Sequence, residues 1–358
     1  MITPQLSIIV PTRERVEVLR ETLATLVTLS MQDVEFVICD NCSNDETAQV
    51  VSAYSDPRVR YVRSLERLSM PDNFALGLSH AKGRYVVTMG DDDFVIEENL
   101  RLALELAEKN QTDLVYWFRG CFYWGTYPSS QAGLFVIPRG RGHYRVEGET
   151  LLRMSYLGHV NYQYLPSLYN SVMSRSFLLK YEHFLRGRYF LTSVVSVDVF
   201  TALAFSALSP KVYYQQSPAT VSGISHRSNG MSHFASGQEG KTFRQELGLG
   251  SDDCIMPKML RGSVRPVFPH GVLDLTILAD YELVVRELLC YTMCSPPDFE
   301  LLAQIQIRRL VALGHLEVDS DSLVCRRLLF DTESKQIPVE DLDKYFFDFW
   351  HIPRPENY

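Results

Sequence analysis

The sequence predicts a doubly wound α/β fold: a Rossmann-like, mostly parallel sheet with a helical C-terminal extension. Three observations carry that prediction. Short apolar runs rich in β-branched residues read as strands buried on both faces. Between them, apolar residues recur at the spacing of amphipathic helices, so the chain begins β-α-β-α-β. Distinctive polar clusters then follow the ends of three of the strands, where sheets of this kind bind their ligands.

Residues 6–10 (LSIIV) form the first expected strand, ended by Pro11. Val16, Leu19, Leu23, Leu26 and Val27 lie on one face of the helix that follows. Residues 34–39 (VEFVIC) make a second strand, 45–54 a second helix and 58–62 a short third strand. A helix at 72–80 leads into a strand at 85–89, then a helix at 97–109 and a strand at 114–118. From 125 to 148 the composition turns to Gly, Pro, Ser and Arg around 134–137, which suggests an inserted hairpin. Arg139, Arg141 and Arg145 cluster there with His143, and read as a solvated turn in preference to a phosphate-contacting patch. The glycine- and serine-rich stretch 217–240 reads as a mobile loop that could close over a ligand. Amphipathic segments at 273–289, 299–313 and 339–349 predict a mainly helical remainder.

Composition sets bounds on function. The chain has 358 residues, 46% hydrophobic and 22% charged, which is more than one ordinary domain and excludes wholesale disorder. Its net charge of -8 lacks the electrostatic footprint of a nucleic-acid binder. The longest apolar window, 194–208, includes Asp198 and falls short of the roughly 20 residues of a membrane span. With no basic, apolar leader at the N-terminus, a cytoplasmic location is expected, with peripheral contact to the inner face of a membrane left open. Seven scattered cysteines fit reduced thiols better than a disulfide framework; a zinc site from Cys39, Cys42, Cys290 and Cys294 lacks the usual spacing.

The chemistry lies at the three strand ends. Pro11, Thr12 and Arg13 follow the first strand, residues 40–45 (DNCSND) the second, and Gly90 with Asp91, Asp92 and Asp93 the fourth. All should meet in one crevice. No GxGxxG follows the first strand and no GxxxxGK[ST] occurs, so the usual phosphate loops are unsupported. Three adjacent carboxylates after an apolar strand need a counter-charge, and all-oxygen ligation suits magnesium or manganese. A solvated acidic turn is the alternative for such a trio in isolation.

Taken in order, residues 7–12 (SIIVPT), 37–47 (VICDNCSNDET), Asn73 through 81–85 (AKGRY) and 89–93 (MGDDD) resemble the family 2 glycosyltransferases, whose fold is called GT-A. The resemblance covers about residues 5 to 120. It implies a GT-A domain over 1–240, with a nucleotide-binding half at about 1–120 and an acceptor half at 121–240, followed by the helical region 241–358. It also implies an inverting transfer of one sugar from a nucleotide-sugar, most readily a UDP-sugar, to a hydroxyl of a glycan or lipid-linked acceptor. Asp40 would face the donor base, Pro11, Thr12 and Arg13 would line its pocket, and Arg84 would approach the base or phosphates. Asn41, Asn73, Lys82 and Asp92 complete the expected donor contacts. Asp91 and Asp93 would form the DxD pair, Asp91 also near the ribose, holding Mn2+ or Mg2+ with His226 as an added ligand. Asp198, about 100 residues further on, would be the general base. Where the family usually shows two aspartates and a glycine, this chain has Asp40, Asn41 and Cys42. A processive polymerase is not expected, since QxxRW is absent. The competing readings are a non-catalytic nucleotide-sugar or glycan-binding relative and a sugar nucleotidyltransferase. An oligomer through the C-terminal helices is left open.

Overall fold

The structure, a computed structural model, describes residues 3–125, 132–156, 160, 162–190, 197–209, 211–225, 228, 316–319 and 324–327. In the N-terminal part, β1 (Leu6–Thr12), α1 (Val16–Val27), β2 (Val34–Asp40), α2 (Thr47–Ser52), β3 (Val59–Arg63), α3 (Met70–His80) and β4 (Tyr85–Thr88) follow the expected order. The short β5 (Phe94–Val95), α4 (Glu97–Asn110), β6 (Leu114–Trp117), β7 (Gly120–Tyr123) and β8 (Phe135–Val136) come next. Then come β9 (His143–Glu147), α5 (Gly148–Tyr156), β10 (Ser171–Ser174), α6 (Arg175–Phe184), α7 (Val197–Leu208), β11 (Lys211–Gln215) and β12 (Thr220–Ile224). An antiparallel pair, β13 (Leu316–Asp319) and β14 (Val324–Arg327), lies between two of the segments expected to be helical. Those segments, 273–289, 299–313 and 339–349, fall outside the described residues.

Eight strands form the large sheet in the order β3-β2-β1-β4-β10-β6-β11-β9. Its first four are parallel, β10 runs antiparallel to both β4 and β6, and β9 closes the far edge antiparallel to β11. The apolar runs are buried on both faces, as their composition requires. From β1, Ile8 and Val10 join Leu19, Leu23, Phe36, Ile38 and Leu104 on one face, whereas Ile9 joins Val37, Phe74, Val86, Phe177 and Phe205 on the other. Helices α1, α2 and α4 cover the first face, and α3, α5, α6 and α7 the second. A four-stranded sheet, β5-β12-β7-β8, stands beyond the carboxyl end of β4. Its inner strands come from segments about 100 residues apart, Gly120–Tyr123 and Thr220–Ile224, paired in parallel. The hairpin expected around 134–137 is the β7–β8 pairing.

Candidate active site

The acidic trio sits where β4 ends, and its three carboxylates have different partners. Asp91 accepts a hydrogen bond from Thr12 Oγ1 (2.7 Å) and pairs with Arg15 Nη1 (2.6 Å). Asp92 pairs with Arg15 Nη2 and accepts from Ser228 Oγ (3.0 Å) and Ser225 Oγ (3.3 Å). Asp93 is bound by main chain instead: its carboxylate accepts from the Gly90 and Gly223 amides at 2.7 and 2.8 Å. Gly223 is required for this approach, because a Cβ there would stand 1.8 Å from the Asp92 carbonyl oxygen. Thr22 Oγ1 ties the Asp91 carbonyl to α1 (2.8 Å), and Trp124 Nε1 donates to the Asp92 carbonyl (3.1 Å).

Burial pushes the Asp91 carboxyl up to about 6, against the pull of Arg15, with Asp92 adding to the rise. Asp93 is also pushed up to about 6, by burial and by Asp92, against the field of Arg119. The guanidinium of Arg15 is held strongly protonated: burial alone would lower it, but Asp91, Asp92 and Asp93 outweigh that effect.

At the expected metal site the carboxylates already have partners. The carboxylate oxygens are of the right chemistry for magnesium or manganese, but Arg15 already bridges Asp91 and Asp92, and both main-chain amides converge on Asp93. Among the described residues no group of three or more His, Cys, Asp or Glu could hold a metal ion. As arranged, the trio does not fit a metal, and a cation could bind Asp92 only in exchange for Arg15. His226 lies outside the described residues, as do His233 and most of the loop expected at 217–240.

At the end of β2, Asp40 is fully buried and accepts from Ser43 N (3.0 Å) and Tyr61 Oη (2.5 Å), with Arg63 Nε at 3.3 Å. A donor base would reach this carboxylate only after Tyr61 and Arg63 part, so the open base-binding role expected for it is not present here. Asn41 clasps the main chain of Leu68 in both directions, donating at 2.9 Å and accepting at 2.7 Å, and so shapes the wall of the crevice. Asn73 Nδ2 donates to the Cys39 carbonyl (3.3 Å), and its buried Oδ1 has no partner among the described residues. Cys39 packs in the core and Cys42 Sγ contacts the Leu65 carbonyl; Cys290 and Cys294 lie outside the described residues.

Lys82 and Arg84 stand at the other end of the strand. They precede β4 and therefore lie at the amino end of a strand whose carboxyl end carries the aspartates. The Lys82 amide joins a buried network with Ser7 and Glu35, and Arg84 is an exposed cation paired with Glu108 (2.9 Å). Neither belongs to the crevice.

Asp198 opens α7, whose free amides favour its charged form: Val199 N donates to Oδ1 at 3.0 Å. Burial raises its carboxyl above the usual range, opposed by Arg119, by these amides and by a hydrogen bond from Tyr162. Arg119 spans the gap between the two acidic groups. It lies over the Tyr169 ring (5.1 Å to the centroid), and its field lowers the pKa of both Asp93 and Asp198. Tyr169 is held beside α7, since Leu168 N donates to Thr201 Oγ1 (3.3 Å), one turn from Asp198. Sequence reasoning singled out neither Arg15 nor Arg119. Arg15 could have been found, because it follows Thr12 and Arg13 at the end of β1, where a cation can meet the trio.

Residues 7–172 match the sequence profile of glycosyl transferase family 2. Through these residues the chain is similar to glycosyl transferase family 2. A relative, the poly(ribitol-phosphate) beta-N-acetylglucosaminyltransferase TarS of Staphylococcus aureus, is 31% identical over 115 residues, 30% of this chain and 20% of that protein. The GalNAc(5)-diNAcBac-PP-undecaprenol beta-1,3-glucosyltransferase of Campylobacter jejuni is 29% identical over 109 residues, 30% of this chain and 35% of that protein. The matched part thus spans about a fifth to a third of these relatives. The crystal structure of S. aureus TarS 1–349 in complex with UDP-GlcNAc superimposes with a TM-score of 0.52 at 15% identity, covering 86% of this chain and 73% of that one. That likeness establishes the shared GT-A fold.

Proposed function

We propose that this chain transfers one sugar from a nucleotide-sugar, a UDP-sugar above all, to a hydroxyl of a glycan or lipid-linked acceptor, with inversion at the anomeric carbon. The observation that carries the reading is the placement of two acidic groups, the Asp91–Asp93 trio and Asp198, on either side of Arg119 at the carboxyl end of a family 2 sheet. The relatives named above transfer N-acetylglucosamine and glucose by their names, which supports a hexosyl donor.

In this reading the acceptor oxygen attacks the anomeric carbon as Asp198 removes its proton. The bond from that carbon to the diphosphate breaks, and the diphosphate leaves with the electron pair. Asp198 suits this role, because burial raises its pKa and makes it a better base, while the Arg119 charge favours its ionised form. In this reading Arg15, paired with the trio, and Arg119, on Tyr169, face the charge that develops on the diphosphate, and positioned charge of that kind is a large contributor to catalysis.

A screen of nucleotide-sugars by calorimetry, with and without manganese, followed by assay of nucleotide diphosphate release, tests the proposal. Affinity for one donor together with acceptor-dependent release is expected. Donor affinity with no release on any acceptor would favour a binding protein, and no affinity for any nucleotide-sugar would refute the proposal.

A further inference from the structure

Four consecutive apolar residues, Leu134, Phe135, Val136 and Ile137, are 46, 50, 48 and 37% exposed. A strand with one solvated face alternates apolar and polar residues, so apolar side chains standing out on both faces are unusual in a soluble sheet. Among the described residues β8 is also an edge, paired through β7 alone, and it carries none of the charges that normally protect an edge. The Phe122–Phe135 contact, 5.9 Å between centroids, holds the strand in place without covering it.

The chain then continues into Pro138, Arg139, Gly140, Arg141, Gly142, His143, Tyr144 and Arg145. All three arginines are exposed, Tyr144 is 54% exposed, and no acid occurs between Ala132 and Val146. The Arg145–Glu147 contact, 3.5 Å between groups about half exposed, is too weak to neutralise the patch. Nor is this a loose turn: Gly142 N donates to Gln216 Oε1 and Gln216 N to the Gly142 carbonyl, both at 2.9 Å. A cluster of +3 on a chain of net charge -8 fixes which face can approach an anionic surface.

We propose that residues 134–145 form a docking surface for an anionic lipid bilayer. Leu134, Phe135, Val136 and Ile137 enter the boundary between headgroups and acyl chains, Tyr144 lies at the interface, and Arg139, Arg141 and Arg145 pair with lipid phosphates. The assignment does not depend on the chemistry of the crevice. It does orient it, because β7 and β12 of the same small sheet carry Trp124 and Gly223 to the acidic trio. No helix among the described residues is long and apolar enough to cross a membrane, so docking would be peripheral.

The test is co-sedimentation of the full chain with vesicles of phosphatidylcholine alone and of phosphatidylcholine mixed with phosphatidylglycerol. Binding to the mixed vesicles is expected, weakening as salt rises. Arg139→Gln/Arg141→Gln/Arg145→Gln should lose affinity by roughly five-fold per arginine, about a hundred-fold in all. Phe135→Ser/Val136→Ser should lose roughly ten-fold or more, and unchanged thermal unfolding in both variants would show that the fold persists. Equal binding to both vesicle types, no binding by the wild-type chain, or full binding by the triple variant would overturn the proposal. So would a concentration-dependent dimer in ultracentrifugation that Phe135→Ser abolishes, since the strand would then be covered by a second copy.

Discussion

Arg15 and Arg119 neutralise opposite sides of the same crevice in different ways. Arg15 reaches from the end of β1 to the end of β4 and touches both Asp91 and Asp92. Arg119 rests on Tyr169, and among the described residues no direct ion pair joins it to Asp93 or Asp198; it acts on them through its field. A direct, buried pair fixes charge and supports the fold. A cation held off on an aromatic platform leaves its carboxylate free to take a proton. In the proposed reaction the parallel half of the sheet holds charge and the mixed half carries the chemistry.

The sharpest way to break this contrast is Arg15→Met, which leaves two buried carboxylates without their partner. A loss of about 3–5 kcal/mol in stability at pH 7 is expected from urea unfolding. The sign of its pH dependence is fixed. Asp91 and Asp93, pushed up to about 6, bind more protons folded than unfolded between about pH 4 and 6. Their contribution to stability therefore grows as pH falls through that window and is lost as it rises. The deficit of Arg15→Met should shrink from pH 7 to pH 5, and a pH-independent loss would contradict the account.

Next in size is Asp93→Ala. Removing one of three like charges should relieve repulsion, but it also strands the Gly90 and Gly223 amides, at about 1–3 kcal/mol each. Net destabilisation is expected, and greater than for Asp92→Ala, whose carboxylate is bound only by side chains. A stabilised Asp93→Ala protein would show that repulsion dominates.

The same contrast explains what could be read from the sequence. The parallel half was legible because its strands are continuous apolar runs and its polar residues sit within a few positions of each strand end, as Thr12 and Asp91 do. Position along a strand decided the errors: Lys82 and Arg84 adjoin β4, but at its amino end. Contacts made across long separations left no local signal. Gly223 meets Asp93 from 130 residues away, and Arg119 meets Tyr169 from 50, through a sheet assembled from two distant segments. Asp198 stands out in the sequence as a lone acid about 100 residues beyond the trio, and the structure places it in the first turn of α7; its role as base belongs to the proposed function.

On the far side, Arg119→Met should move the acidic limb of the kcat/KM profile to higher pH, since Asp198 loses the charge that favours its ionised form. The rate on that limb should fall roughly ten-fold for each 1.4 kcal/mol of lost interaction, with donor affinity less affected, and an unmoved limb would remove Arg119 from the mechanism. The smallest effect belongs to Arg84→Ala. Its pair with Glu108 is 59% and 39% exposed, so stability should change by less than about 0.5 kcal/mol and donor affinity not at all. A loss of donor affinity on calorimetry would return Arg84 to the donor site.

The division between holding and chemistry is tested most directly by Asp198→Asn, with donor affinity measured by calorimetry and turnover by nucleotide diphosphate release. Asn keeps the size of the carboxylate and caps a helix about as well as Asp, so the fold and donor affinity should persist. It cannot take the acceptor proton, and kcat should fall by roughly 100- to 10,000-fold. Near-normal turnover by Asp198→Asn, or a loss of donor affinity as large as the loss of rate, would contradict the account.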